Sequence, residues 1–287
     1  VTAGEDKIIL SADTIVINTG AVAIKPNISG IDTATGFYNS TEIQQLPTQP
    51  STLGVIGAGP IGLEFASLYA KLGAKVTVFN IESSILKREE PIVQELATEY
   101  LTEQGITILN NVTLDSVSND DNKPVIKANN QNYTFDAVLY ATGRKANTAN
   151  IGLEHTDIAT NERGAIVVND TCESSVPYTT FLTPPLSRVG LTEEDAINQG
   201  YTIKTKEMLV ATMPRAHVND YLKGAFKIVV DADNDLILGA TLYSQGAEEL
   251  INLIKMAMDN NIPYTYFKNQ IFTHPTMAEN LNDLCNF

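Results

Sequence analysis

The chain has no tryptophan, only two cysteines and three histidines in 287 residues, and its 19 lysines and arginines are outnumbered by 34 acidic residues. Each scarcity closes off a class of function. Cys172 and Cys285 lie far apart, with neither C-x-x-C spacing nor a disulfide framework, so the fold must rest on its cores, and the usage suits a reducing cytoplasm. No cluster of histidine, cysteine and carboxylate has metal-ligand spacing, and the formal net charge of -15 argues against nucleic acid or anionic membrane as a partner. No apolar run approaches the length of a membrane span, and Val1-Thr-Ala-Gly-Glu-Asp6 lacks the basic and apolar regions of a signal peptide. Starting at Val1 in mid-pattern reads as a fragment.

What is present is ordinary globular material: 43% hydrophobic and 18% charged residues, enough for about two domains. The most informative stretch is Ser51-Thr-Leu-Gly-Val-Ile-Gly-Ala-Gly-Pro-Ile-Gly-Leu-Glu-Phe-Ala66, an apolar strand running into three spaced glycines and then a helix. Gly57 permits the tight turn, Gly59 lets backbone approach a pyrophosphate, and Gly62 lets the helix pack on the sheet with its first N–H groups facing the anion. Three glycines alone signal little. The helix from Pro60 to about Leu72, stopped by Gly73, and the strand Lys75-Val-Thr-Val-Phe79 complete a β-α-β unit in about thirty residues, and that context makes dinucleotide binding the stronger reading. Ile61, Phe65, Leu68, Tyr69 and Leu72 are the expected apolar stripe of this helix.

Upstream, Lys7–Leu10 and Thr14–Asn18 read as short strands, the second ending in Thr19-Gly20, followed by a turn-rich linker and a domain boundary near Leu46. Downstream, a helix from Pro91 to Gly105 is preceded by Glu89 and Glu90, where the helix dipole favours acid, and Ile92, Leu96, Tyr100 and Leu101 form its buried face. Four runs, Ile106–Leu109, Thr113–Val117, Val125–Ala128 and Tyr133–Phe135, read as a β-meander, and Ala137–Ala141 returns as a core strand ending in Thr142-Gly143-Arg144. The two Thr-Gly ends imply two similar edges facing nucleotide. Gly164–Val168 is one more strand.

From Tyr178 the order changes to an α+β domain. Thr192-Glu-Glu-Asp195 is a capping-box start for a short helix, and strands are expected at Thr202–Lys206, Leu209–Met213, Ala225–Val230 and Leu236–Tyr243. A helix from Ala247 to Met258 follows.

The succession Val16-Ile-Asn-Thr-Gly20, Val55 to Ala66, Tyr140-Ala-Thr-Gly-Arg144, Gly164-Ala-Ile-Val-Val168 and His274-Pro-Thr-Met-Ala-Glu279 resembles the pyridine nucleotide-disulfide oxidoreductases. Met213-Pro-Arg-Ala216 and the closing domain are most similar to the mercuric reductase and hypothiocyanite reductase branch. The resemblance implies an α/β fold: a Rossmann-type NAD(P)H domain (46–142) inserted in an incomplete FAD domain (1–45 and 143–177), then an α+β dimerisation domain (178–287). It implies a homodimeric enzyme in which NAD(P)H reduces FAD, FAD reduces a cysteine pair, and the pair reduces a small oxidised substrate.

The same resemblance assigns roles. Gly57, Gly59, Pro60, Ile61 and Gly62 would hold the dinucleotide, Glu64 would sit at the nicotinamide–flavin junction, and Thr19, Gly20, Thr142 and Gly143 would bring backbone close to cofactor. Arg144 stands between a cofactor contact and a domain-seam ion pair. Asn80 ends the second strand, where an acid would select NAD and an arginine NADP, so with Glu82, Lys87 and Arg88 nearby the choice stays open. His274 would be acid/base for the partner subunit's thiols, with Glu279 orienting it. Cys172 reads as packing, Cys285 as a tail thiol, and His155 and His217 as ordinary. The family's FAD glycine cradle, its Cys-x-x-x-x-Cys and a strand-helix segment between Pro177 and Tyr178 have no counterpart here, so the chain as it stands is expected to hold no FAD and to reduce no disulfide. A nucleotide-binding and dimerising module, or an NAD(P)H oxidase or peroxidase, are the alternatives.

Overall fold

A computed structural model describes residues 2–3, 6–7, 12, 16–156, 158–162, 164–167 and 176–287. The N-terminal half comprises β1 (Thr2–Ala3), β2 (Asp6–Lys7), β3 (Ala21–Ala23), β4 (Phe37–Tyr38), β5 (Thr52–Ile56), α1 (Pro60–Lys71), β6 (Lys75–Phe79), α2 (Pro91–Glu103), β7 (Thr107–Leu109), β8 (Leu114–Asp120), β9 (Lys123–Ala128), β10 (Gln131–Thr134), β11 (Ala137–Tyr140) and β12 (Arg144–Ala146). Five strands form a parallel sheet in the order β4-β11-β5-β6-β7. Its inner strands are buried along nearly their whole length, as strands covered on both faces must be.

Several expectations are corrected. Ile106–Leu109 contributes β7 to the edge of the parallel sheet, and only β8, β9 and β10 make the antiparallel meander, turned by Asp121, Asn122, Asn129 and Asn130 in left-handed conformation. Phe37–Tyr38, inside the supposed linker, pairs with β11. On α1 the buried residues are Gly62, Leu63, Ala66, Ser67 and Tyr69, whereas Leu68 and, at the C-cap, Leu72 are exposed. The stripe is rotated, with Leu63 at its centre and Tyr69 kept from the expected set. Residues 16–18 carry no regular element, and Lys7 pairs with Thr2; the rest of the two expected strands, 8–10 and 14–15, falls outside the described residues. In Gly164–Val168, Ile166 makes a single bridge to Thr160, and Val168 and Cys172 lie outside the described residues.

The two Thr-Gly stretches are not separate edges. β3 and β12 pair antiparallel as one ribbon, tied further by Thr142 Oγ1 donating to Ile24 O at 3.1 Å and Asn147 Nδ2 donating to Thr19 O at 3.2 Å.

The C-terminal half comprises β13 (Tyr178–Thr180), β14 (Leu186–Gly190), α3 (Glu193–Asn198), β15 (Ile203–Leu209), α4 (Pro214–Val218), β16 (Ala225–Asp231), β17 (Ile237–Tyr243), α5 (Ala247–Asp259), α6 (Tyr264–Asn269) and α7 (Asn280–Leu284). The sheet is antiparallel in the order β13-β14-β17-β16-β15. α5 covers it with Leu250, Ile251 and Ile254. The capping box forms: Thr192 Oγ1 accepts from Asp195 N at 3.0 Å, and Asp195 Oδ2 accepts from Thr192 N. Leu209–Met213 is not a strand. Val210–Thr212 makes a tight 3-10 turn and Pro214, lacking an N–H, opens α4 at no hydrogen-bond cost.

The halves share one core, in which Leu182, Leu186 and Tyr243 pack with Leu63, Val93 and Leu101. Above it lies a polar seam. Lys227 Nζ meets Glu90 Oε2 at 2.9 Å, Glu193 Oε2 at 2.6 Å and Glu207 Oε1 at 2.9 Å, and Glu90 Oε1 accepts from Glu193 N. Glu89 accepts from the Tyr178 hydroxyl and lies 3.5 Å from Arg188. Glu89 and Glu90 therefore do more than favour the dipole of α2: they reach across to the second sheet. Burial first, and then the Glu89 charge, push the Tyr178 hydroxyl far above its ordinary pKa.

Candidate functional site

The glycine turn is built as the sequence predicts, and the reason is steric. At Gly57 φ is +109°, and a Cβ there would lie 2.5 Å from Ala141 O; a Cβ at Gly62 would lie 2.1 Å from Gly57 O. Neither position admits a side chain. Gly59 differs: nothing stands within 4 Å of where its Cβ would be. That open space lies at the start of α1, where Gly59 is the N-cap and Pro60 the first residue. The amides of Ile61 and Gly62 in the first turn have no acceptor within the helix, so they are available to an anion placed over Gly59.

The turn is the floor of a cleft of about 2400 Å³. Gly57, Gly59, Pro60, Ile61, Asn80, Thr142, Gly143 and Arg144 line it. Gly62, Glu64, Thr19 and Gly20 do not. Gly62 works from behind, by letting α1 come close; Glu64 Oε1 accepts from Phe181 N at 2.7 Å, which ties α1 to the second sheet. Arg144 Nη2 donates to Ala21 O at 2.5 Å, so its first task is to hold the β3-β12 ribbon. Opposite the ribbon the loop after β6 folds back on the glycine turn through Leu86 N and Ala58 O, 3.1 Å apart. Glu82, Ser84, Lys87 and Arg88 of that loop also line the cleft, as do Tyr178 and Arg188 from the second sheet. Tyr178 and Arg188 escaped the sequence reading because no local motif marks them; they arrive through the pairing of β13 with β14.

His274 and Glu279 form a dyad away from the cleft. Nδ1 and Oε2 are 2.7 Å apart, and Glu279 is itself fixed by Thr276 N, which donates to Oε1 at 3.2 Å. The histidine side chain is 72% exposed while the glutamate's exposure is only 17%, so the carboxylate orients the ring and Nε2 faces outward. An imidazole held this way can take and return a proton at Nε2. Cys285 is not a tail thiol: it is fully buried among the residues of α5 and α7, and burial pushes its pKa up to about 12. Among the described residues no group of three or more His, Cys, Asp or Glu could hold a metal, and no helix is long and apolar enough to cross a membrane.

The family model "Pyridine nucleotide-disulphide oxidoreductase" matches residues 1–178, and the dimerisation-domain model of the same family matches residues 176–285. The chain belongs to that family. It is therefore a member of an enzyme family whose proteins are flavoproteins that use FAD and NAD(P)H, and its closing domain is the family's dimerisation domain. It is 36% identical to the probable pyridine nucleotide-disulfide oxidoreductase RclA of Escherichia coli over 324 residues, covering 98% of this chain and 74% of RclA. It is 30% identical to the mercuric reductase of Bacillus cereus, covering 95% of this chain and 50% of that enzyme. The solved structure of RclA, an HOCl-induced flavoprotein disulfide reductase from Escherichia coli, superposes with a TM-score of 0.85 at 36% identity, covering 93% of this chain and 72% of that one. This chain thus spans about three quarters of RclA and half of the mercuric reductase.

Proposed function

We propose that the chain supplies the NAD(P)H-binding and dimerising parts of a homodimeric flavoprotein that passes electrons from NAD(P)H through FAD and a cysteine pair to a small oxidised molecule. The observation that carries this is the glycine turn: two glycines that admit no side chain frame a third that opens onto the first amides of α1. Gly59 and the amides of Ile61 and Gly62 hold the pyrophosphate, and Thr142 and Gly143 form the opposite wall of the cleft. Glu64 sets α1 against Phe181. His274 Nε2 moves a proton to and from a thiol of the partner subunit, with Glu279 keeping Nδ1 protonated. The likeness to RclA, a flavoprotein disulfide reductase, supports the reaction class.

Flavin, when bound, relays electrons between a hydride donor and a disulfide. The 287 residues contain one glycine cradle and no Cys-x-x-x-x-Cys. The alignment with RclA runs over 324 positions, more than this chain's 287 residues, which agrees with segments of the family lying outside it. A nucleotide-binding and dimerising module is accordingly the second reading for the chain by itself.

Intact mass, visible spectrum and NADH- or NADPH-driven reduction of a small aromatic disulfide test the proposal on the purified encoded protein. A flavin band with dinucleotide-dependent turnover is expected. A protein of this chain's mass that stays colourless after incubation with FAD would leave only the module reading.

A further inference from the structure

The residue at the end of β6 is where a dinucleotide fold meets the adenosine ribose, and here it is Asn80. Its amide is already committed. Nδ2 donates to Glu82 O at 3.1 Å, Ser84 O at 2.9 Å and Asn110 Oδ1 at 2.8 Å, and Oδ1 accepts from Glu82 N at 3.3 Å. With two hydrogens spread over three acceptors, the buried amide has no donor left for a ribose hydroxyl or a phosphate. Instead it folds residues 81–84 so that Glu82 lines the cleft. Glu82 Oε2 pairs with Lys87 Nζ at 2.6 Å, and its Oε1 has no partner among the described residues.

We propose that Glu82, two residues beyond the usual position, selects the cofactor, accepting a ribose hydroxyl on its free oxygen and excluding a 2′-phosphate, so that the chain prefers NADH to NADPH. The inference rests on the assignment of the cleft to a pyridine dinucleotide. Lys87 is the only residue of the loop that an ion pair withdraws from phosphate binding among the described residues. Its charge is offset by Glu82 across 2.6 Å, and a phosphate brought beside that carboxylate would be repelled by it. Of the loop's two cations only Arg88 stands outside an ion pair among the described residues, and Arg144 and Arg188, which also line the cleft, are engaged by Ala21 O and by Glu89 and Asp195. Asn80 acts through Glu82, as the residue that positions its loop.

The test is calorimetric titration of NAD⁺ and NADP⁺ into the 287-residue chain, its Glu82→Gln variant and its Lys87→Met variant, with circular dichroism confirming the fold of each. The native chain should bind NAD⁺ about tenfold or more tighter than NADP⁺, from one charge-assisted hydrogen bond gained and one like-charge contact avoided. Glu82→Gln should shrink that ratio by about tenfold, because the repelling charge goes and Lys87 is released. Lys87→Met should leave the preference in place or widen it. A native preference for NADP⁺, an unchanged ratio in Glu82→Gln, or a preference lost in Lys87→Met would each overturn the assignment to Glu82. A folded native chain that binds neither dinucleotide would overturn the cleft assignment beneath it, which is a different result.

Discussion

Replacing Lys227 by methionine should cost the protein more stability than any other change at the seam between its two halves. The lysine side chain is 5% exposed and Glu90 3%, whereas Glu193 and Glu207 are 39% and 47% exposed. In Lys227→Met the latter two can turn to water, but Glu90 cannot, and a buried carboxylate that loses its cation costs about 3–5 kcal/mol. With only one of three acids trapped, the lower figure applies, about 3 kcal/mol. That corresponds to a fall in melting temperature of roughly 6–12 °C, at about 2–4 °C per kcal/mol. In the native protein burial opposes the Lys227 charge, but the hydrogen bonds that its Nζ donates to Glu193, Glu207 and Glu90 outweigh it and raise the pKa above 10.5. A raised pKa in the folded state means that this contribution is complete below about pH 10.5 and disappears only as pH climbs through the higher folded value. The gap between native and variant proteins should therefore be flat from about pH 7 to 9. Urea denaturation of both proteins across that pH range reads the gap directly. A difference under about 1 kcal/mol would refute the idea that Glu90 depends on this lysine.

Thr192→Ala removes the acceptor for Asp195 N and should destabilise the protein by about 1 kcal/mol, measured by chemical denaturation. Cys285, buried and with its pKa pushed up to about 12, should resist iodoacetamide at neutral pH and react only after unfolding, as peptide mass mapping would show. In the intact flavoprotein, His274→Ala should slow the thiol half-reaction by about a hundredfold or more while reduction of flavin by the dinucleotide stays close to native. Equal loss in both half-reactions, followed by stopped-flow absorbance, would contradict the role given to His274.

Legibility followed the range of the interaction that decides each feature. The β5-α1-β6 unit was readable because Pro60, Gly73 and the alternation of apolar residues act within a few positions of themselves. Thr192 and Asp195 are three residues apart, so their capping box was equally plain. Phe37–Tyr38 is a strand only because β11 lies beside it, a partner about a hundred residues away. Lys227 looks like a polar interruption in Ala-Phe-Lys-Ile-Val-Val-Asp, yet it is buried because Glu90, Glu193 and Glu207 converge on it from three separate segments. Asn80 was found by position, but its four side-chain hydrogen bonds, which take it out of ligand contact, depend on a loop path that no spacing rule describes. Leu68 and Leu72 are exposed for a related reason: helical period identifies a stripe, and the sheet against which the helix packs decides how that stripe is rotated.

The central claim is that Gly59 is glycine for the sake of a ligand, whereas Gly57 and Gly62 are glycine for the sake of the fold. Its most direct test compares Gly59→Ala with Gly62→Ala by thermal melting and by calorimetric titration with NADH. Gly59→Ala places its methyl in open space. It should melt within about 1 °C of the native chain yet lose NADH affinity by about tenfold or more, because backbone can no longer approach the pyrophosphate. Gly62→Ala drives a methyl to 2.1 Å from Gly57 O and should lower the melting temperature as well. A Gly59→Ala chain that binds NADH as tightly as the native one would contradict the account.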